Sequence, residues 1–359
     1  MKAFGFLSFG HHAIAGQQGP NARQVLQDQL EIAKAADDIG VNNASFRVHH
    51  FAPQGAAPMP MLGAVVGATK HIEVGTGVID MRYENPLYLA EEAAALDLLA
   101  NGRTALGVSR GSPEPADQGW ESFGYSGQAP NGADMAREKF ETFLHAIDGY
   151  GMAKAAPAAQ QYPRLYQDGA PLPIFPHSPG LHSRIFWGSG SNDSAVQAAQ
   201  DGVNLMSSTL VSEADGRSLG EVQRSQIDTY RQAWKEAGHE RTNPRVSVSR
   251  SIFPIIDEET RHYFQLQATE EDQIGSLGEG RNVTFGRTYA DEPDKLIEQL
   301  KADPAIAAAD TLLITIPNTM GVDVNVKILQ GFAEHVAPAL GWIPNTQGVV
   351  EGYDIADFI

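Results

Sequence analysis

Cysteine is absent from the 359 residues. Its absence excludes disulfide frameworks, thiolate metal sites and a cysteine nucleophile, and it fits a reducing, cytoplasmic setting. Basic residues are few, 26 against 44 acidic ones, for a formal net charge of −18. The acidity is spread along the chain and reads as a solvated surface. It disfavours nucleic acid or an anionic membrane as the main partner, since both demand a basic face. No run approaches the roughly 18 apolar residues that a membrane-spanning helix needs. The opening MKAFGFLSFGHH lacks the long apolar core of a signal peptide and reads as a first strand. No GxGxxG follows that strand, so the dinucleotide-binding fingerprint is missing. No strand end carries a candidate Schiff-base lysine, which counts against an aldolase.

What the chain does have is apolar residues, 42% of the total, in an alternating strand–helix rhythm. The stretch from His71 to Gly111 is the most informative. Ile72, Val74, Thr76, Val78 and Ile79 suit a buried strand. Asn85-Pro86 opens a helix, with Asn85 as N-cap and Pro86 at the first helical position, and Asn101-Gly102 ends it. Thr104 to Val108 is a second strand, ending in Ser109-Arg110-Gly111. Further strands are expected at 3–9, 42–48, 184–187, 203–207, 245–255 and 311–316, each followed by a helix or by a helix and an insertion. Eight such units predict a (β/α)8 TIM barrel with insertions after strands four and seven. A doubly wound open sheet is the competitor. The barrel is expected to occupy residues 1–340 and a C-terminal extension 341–359. Segment 150–180 reads as an excursion, and 257–287 as irregular and lid-like.

Candidate chemistry gathers at the strands' C-terminal ends, where barrels build their sites. His49 and His50 follow strand two. Adjacent side chains on an extended segment point opposite ways, so at most one of the pair faces the pocket. A histidine there can move a proton near neutral pH, or be a buried structural residue. His11 and His12 follow strand one and read as pocket mouth or polar loop. Arg110 offers a fork for phosphate or carboxylate, and Gly111 lets a ligand approach the backbone. Arg82-Tyr83-Glu84 reads as a pocket wall or a surface turn. Gly188, Ser189, Gly190, Ser191 and Ser194 lie between a strand and a helix N-terminus, where free N–H groups, hydroxyls and the helix dipole favour an anion. The bland alternative is a Gly/Ser turn with Asp193 as N-cap. Ser247, Ser249 and Arg250 suggest a polar face directed into the barrel. No helical HxxxH or local carboxylate set supports a metal site.

Taken together, His49-His50-Phe51, the GTGV ending strand three, NPLxxAEExxxLDLLxxGR, LGVSRG, the Gly/Ser loop and the closing TLLITIP resemble the bacterial luciferase-like flavin monooxygenases. The likeness covers roughly residues 1 to 340. It implies a barrel that binds FMN, in some members a deazaflavin, and that is typically a homodimer. It implies reduced FMN as cosubstrate and O2 forming a flavin hydroperoxide that attacks a small organic molecule, with reduced flavin supplied by a separate reductase. By the same likeness His49 matches the catalytic-site histidine, and Thr76 and Gly77 lie under the isoalloxazine. Arg110 matches an arginine near the phosphate, and Ser191 and Ser194 match phosphate-binding hydroxyls. Where the family often has Glu before the histidine pair, this chain has Val48. The alternatives are a deazaflavin-dependent hydride-transfer enzyme and a non-catalytic flavin-binding protein.

Overall fold

The computed structural model describes residues 2–111, 114–207, 209–211, 216–276 and 282–347. Eight strands lie parallel and in chain order: β1 (Ala3–Ser8), β2 (Asn43–Phe46), β3 (Glu73–Asp80), β4 (Thr104–Ser109), β5 (Ile185–Ser189), β6 (Asn204–Ser207), β7 (Val246–Pro254) and β8 (Thr311–Ile316). Each pairs with the next, and β8 pairs with β1 through Ala3 opposite Thr311 and Ser8 opposite Ile316, so the sheet closes. All eight match the strands expected from sequence, and the fold is the (β/α)8 barrel. Closure removes both sheet edges and leaves every strand covered on two sides.

The surrounding helices begin and end where their local chemistry dictates. In α1 (Ala22–Ile39) the Asn21 side chain accepts from the Gln24 N–H, and Gly40 adopts φ 89° to end the helix. In α3 (Pro86–Leu99) Asn85 accepts from the N–H groups of Leu87 and Tyr88, as its sequence predicts. The helical spacing of Val25, Leu26, Leu30, Ile32, Ala33 and Ala36 in α1 and of Leu87, Ala90, Ala94 and Leu98 in α3 predicts two buried stripes, which overreach in two places: Leu26 and Leu98 are 49% and 45% exposed. Further helices include α2 (Pro58–Ala68), α4 (Ala133–Ile147), α5 (Asn192–Gln200) and α6 (Leu219–Ala237), and later in the chain Pro293–Ala302 and Gly321–His335. Sequence periodicity places the start of α6 near Ser225. It begins six residues earlier because Ser218 and Glu221 form a reciprocal capping box.

Segment 257–287 is more regular than expected. Asp257 and Thr260 cap α7 (Glu258–Phe264), and Gln273–Ser276 runs antiparallel to Asn282–Phe285. The latter strand pairs in turn with Leu210–Val211 from the loop after β6. Strands of two to four residues carry too little alternation to be read locally, and their partner lies far away in sequence. The 150–180 excursion carries a two-residue pairing of Ala153–Lys154 with Pro171–Leu172 and one short 3-10 turn at Ala158–Gln160.

Inside the barrel, Leu7, Ala105, Phe186, Met206 and Leu313 pack as one apolar layer, with Phe9 and Val78 against it. An ion pair, Arg245 bidentate to Glu73 at 3.0 and 2.9 Å, is buried as well. At the N-terminal end of the strands Phe4 meets Phe332 and Trp342 edge-on, each at 5.0 Å. Trp342 donates to Asn42 and Asn345 donates to the His71 carbonyl, tying residues 342–345 to the barrel's underside. Residues 348–359 of the expected C-terminal extension lie outside the described residues. Among the described residues no helix is long and apolar enough to cross a membrane.

Candidate functional site

A cleft of about 570 Å³ opens at the C-terminal ends of the strands. It lies within the size range of small-ligand sites, roughly 300–1,000 Å³. Its apolar part is made by Leu7, Val78, Trp187 and Met206, and its polar end by Ser189, Ser191, Ser194 and Arg110. The two ends belong to one cavity because β3, β4 and β5 are adjacent strands and their closing loops all rise on the same side.

The polar end is built on the N-terminus of α5. Ser191 is the N-cap, a position expected for Asp193 if the loop were a plain turn. Its hydroxyl lies 3.0 Å from that of Ser194, which lies 2.6 Å from that of Ser189. Three hydroxyls and the first-turn N–H groups thus converge where the helix dipole is positive. Arg110 is exposed on the cleft wall. Sequence reasoning missed Arg137, which also lines the cleft and forks onto Asp201, with one nitrogen at 2.7 Å. It sits mid-helix on α4, and nothing local marks it.

The apolar end depends on glycines. A Cβ at Gly77 would lie 2.9 Å from Leu7 Cδ1, and one at Gly188 would lie 3.0 Å from Val78 Cγ1. Gly77 lines the cleft, but Thr76 does not. The Thr76 side chain is buried and its hydroxyl donates to the Gly107 carbonyl at 2.7 Å, bridging β3 and β4 beneath the cavity. The strand register shifts between Thr76 and Ile79, and it is Val78 that turns toward the cavity.

Around the rim, Asp80 and Arg82 form a buried fork, with Nε to Oδ1 at 2.9 Å and Nε to Oδ2 at 3.1 Å. Arg82 also covers the Trp120 ring at 4.8 Å. So Arg82-Tyr83-Glu84 is an internal wall, not a surface turn. Burial pushes the Glu84 carboxyl up to about 7, with nearby Glu92 adding to it, and brings the Lys139 ammonium down to about 8. Tyr83 stacks on His50 at 4.1 Å, and burial lowers that imidazole to about 4, so His50 is a neutral, structural member of the pair.

His49 faces the other way, as extended geometry requires. Its Nδ1 lies 3.3 Å from an Arg47 nitrogen and its Nε2 lies 3.6 Å from Glu114 Oε1. Arg47 and Glu114 line the cleft, and His49 stands between them, one layer back. Burial and the nearby Asp80 charge push the Glu114 carboxyl up to about 7. Glu114 has no sequence signal of its own. It is brought to the histidine only by the adjacency of the loops after β2 and β4. His11 bonds Gln54 at 2.9 Å at the rim and lies outside the cleft. Ser249 lines the cleft, whereas Arg250, one residue on, points outward to Asp303 at 2.9 Å. Of the three residues expected on the inward polar face of β7, Ser247 and Ser249 keep that side of the alternation and Arg250 does not. Among the described residues no group of three or more His, Asp or Glu side chains is arranged to hold a metal.

Comparison with known proteins adds a lineage to this geometry. The profile of the family described as luciferase-like monooxygenase matches residues 1–312. The alkanal monooxygenase alpha chain of the Kryptophanaron alfredi symbiont is 23% identical over 246 residues, 66% of this chain and 62% of that one. The first relatives among curated proteins match over about half of their length or less, 55%, 26% and 28%. Among solved structures, the oxygenating constituent of 3,6-diketocamphane monooxygenase from Pseudomonas putida, in complex with FMN, superposes with a TM-score of 0.67. It is 17% identical, with 94% of this chain and 98% of that one covered. The coenzyme F420-dependent tetrahydromethanopterin reductase of Methanopyrus kandleri gives 0.59 at 16% identity, covering 93% and 99%. At such identities these two likenesses speak for the fold alone.

Proposed function

Since this chain belongs to the luciferase-like monooxygenase family, we propose that it takes up reduced FMN and uses it with O2 to oxygenate a small organic molecule. The observation that carries this reading is the single cleft joining an apolar slot to a hydroxyl-rich helix N-terminus. A flavin mononucleotide has the matching halves, a planar ring and a phosphate. Ser189, Ser191, Ser194, the N–H groups around Gly188 and Gly190 and the Arg110 guanidinium would hold the phosphate. Gly77, Val78, Trp187 and Met206 would bed the ring. When bound, the reduced flavin supplies the two-electron chemistry with oxygen.

The chain's own contribution is to bind, orient and exclude water. The apolar layer of Leu7, Val78 and Met206 keeps solvent from the inner end of the cleft. Val283, on the strand paired with Leu210–Val211, closes one side of the cavity. His49, standing behind Arg47 and Glu114, belongs with them to the polar group assigned to proton handling at the reacting end. A homodimer belongs to the same reading. It is supported by α2, which exposes Pro60, Gly63, Ala64, Gly67 and Ala68 beside the exposed Tyr88 of α3. A separate reductase supplies the reduced flavin, and the site operates in the cytoplasm.

The test is a titration of the purified protein with FMN, riboflavin and a deazaflavin, followed by turnover with reduced flavin, O2 and a panel of aldehydes, ketones and sulfur compounds. FMN is expected to bind more tightly than riboflavin, with oxygen consumption coupled to one substrate class. Preference for the deazaflavin would move the chemistry to hydride transfer, the second reading.

A further inference from the structure

We propose that Glu114, and not His49, is the group that carries the exchangeable proton of the cleft, with His49 acting as its neutral positioning partner. The inference deepens the reading above and rests on it. It begins from the direction in which hydrogen bonds can run. Arg47 can only donate, because a guanidinium has no acceptor. Its Nη2 lies 3.3 Å from His49 Nδ1, so Nδ1 offers its lone pair to arginine and the ring hydrogen sits on Nε2. That Nε2 faces Glu114 Oε1 at 3.6 Å. A second proton on the ring would have to enter at Nδ1 and displace the Arg47 contact. His49 is thereby held as a neutral Nε2–H donor.

Glu114 is differently placed. Its side chain is only 4% exposed, yet it lines the cleft, which His49 does not. From the loop after β2 it faces Arg47, His49 and the His50 N–H, which lies 3.4 Å from Oε1. From the loop after β3 it faces Asp80, Arg82 and the Tyr83 phenol. Arg47 and Arg82 favour the carboxylate, while Asp80 and burial favour the acid, and the acid-favouring side prevails so that the group titrates at about 7. Val48 leaves the histidine without a carboxylate neighbour in sequence, and the β4 loop delivers one from across the cleft.

The step balances simply. The O–H bond of Glu114 breaks, the proton bonds to an oxygen of the reacting molecule in the cleft, and the electron pair stays on the carboxylate. The His49 Nε2–H then hydrogen-bonds that carboxylate, and solvent returns a proton to it.

The test uses the full-length protein. Carboxyl-carbon spectra of the parent and of Glu114→Gln, compared from pH 5 to 9, identify the Glu114 signal. Imidazole-nitrogen spectra, with His49→Gln for assignment, report the ring. The expected result is a Glu114 carboxyl titrating at about 7 and a His49 ring that stays in the Nε2–H form well below the ordinary histidine value of about 6.5. Arg47→Met should release Nδ1 and let His49 titrate. Under turnover, Glu114→Gln should lose about 100-fold in rate together with the pH limb near neutrality, and Glu114→Asp should keep the limb. A Glu114 ionised throughout, or a His49 that takes its proton at Nδ1 near neutral pH in the parent, overturns the assignment. FMN titration of the same samples separates the two claims. FMN binding without the Glu114 titration sinks this inference alone, while failure to bind FMN sinks the cofactor reading and leaves the titration result standing.

Discussion

Gly111 stands directly over Asp80. Its backbone has φ 81°, and a Cβ there would come within 2.0 Å of Asp80 Oδ2. The glycine that follows Arg110 thus seats the Asp80–Arg82 fork. Gly111→Ala should cost about 1–3 kcal/mol through backbone strain and displacement of the fork. Denaturant melts of parent and variant check the cost. Unchanged stability would mean that the loop after β4 moves freely away from Asp80.

The α5 cap makes a prediction with a built-in control. Ser191→Ala removes the N-cap acceptor and one of the three converging hydroxyls. It should cost about 1 kcal/mol of stability and weaken FMN by about tenfold, the equivalent of one lost charge-assisted hydrogen bond of roughly 1.4 kcal/mol. Riboflavin, which lacks the phosphate, should bind the parent and variant alike. Equal weakening of both flavins would relocate the phosphate.

Asp97 holds together parts of the chain far apart in sequence. It accepts from Arg184 Nε at 2.9 Å, Arg184 Nη2 at 2.6 Å and the Ser178 hydroxyl at 2.6 Å, and the Thr104 hydroxyl also donates to it. Asp97→Ala leaves the buried Arg184 without its counter-charge and should cost about 3–5 kcal/mol. Equilibrium unfolding measures it, and a loss under about 1 kcal/mol would mean that water or another acid takes over.

His50 predicts a pH effect of definite sign. Its folded value, about 4, lies below the ordinary 6.5, so between these pH values the unfolded chain binds the proton and the folded chain does not. Stability contributed by this site is intact above pH 6.5 and falls as the pH drops toward 4. Glu84 and Glu114, held near 7, act in the opposite sense, so the difference between parent and His50→Phe isolates the histidine. The variant should show a shallower fall over that window. Parallel curves would mean that His50 titrates normally in the fold.

Most of the architecture was readable locally. Strands such as Ile72–Ile79 and Thr311–Ile316 announce themselves because both faces are buried and the apolar run is nearly continuous. Asn85, Pro86 and Gly40 mark their helix ends by local chemistry alone: a capping side chain, a fixed φ and a residue free to adopt φ 89°. The helix start at the Gly/Ser loop was readable for the same reason, although its cap is Ser191 and not Asp193. What was hidden is what depends on closure of the barrel. Glu114 meets His49, Arg137 reaches the cleft and Val283 closes over it only because distant loops rise on the same side. Thr76 fails in the opposite way: its neighbour Gly77 lines the cleft, but adjacent strand residues face opposite sides, and the threonine hydroxyl donates to the Gly107 carbonyl. Segment 257–287 hid its order because its strands are short and pair with residues near 210.

The central claim is that one cleft holds a flavin by its ring and its phosphate. An anaerobic titration with reduced FMN, followed by fluorescence or absorbance and repeated with reduced riboflavin and with Ser194→Ala, tests it most directly. The account predicts saturable FMN binding, weaker binding of riboflavin, and a Ser194→Ala protein whose preference for FMN over riboflavin is about tenfold smaller. A protein that binds neither flavin, or that binds riboflavin and FMN equally before any substitution, would contradict it.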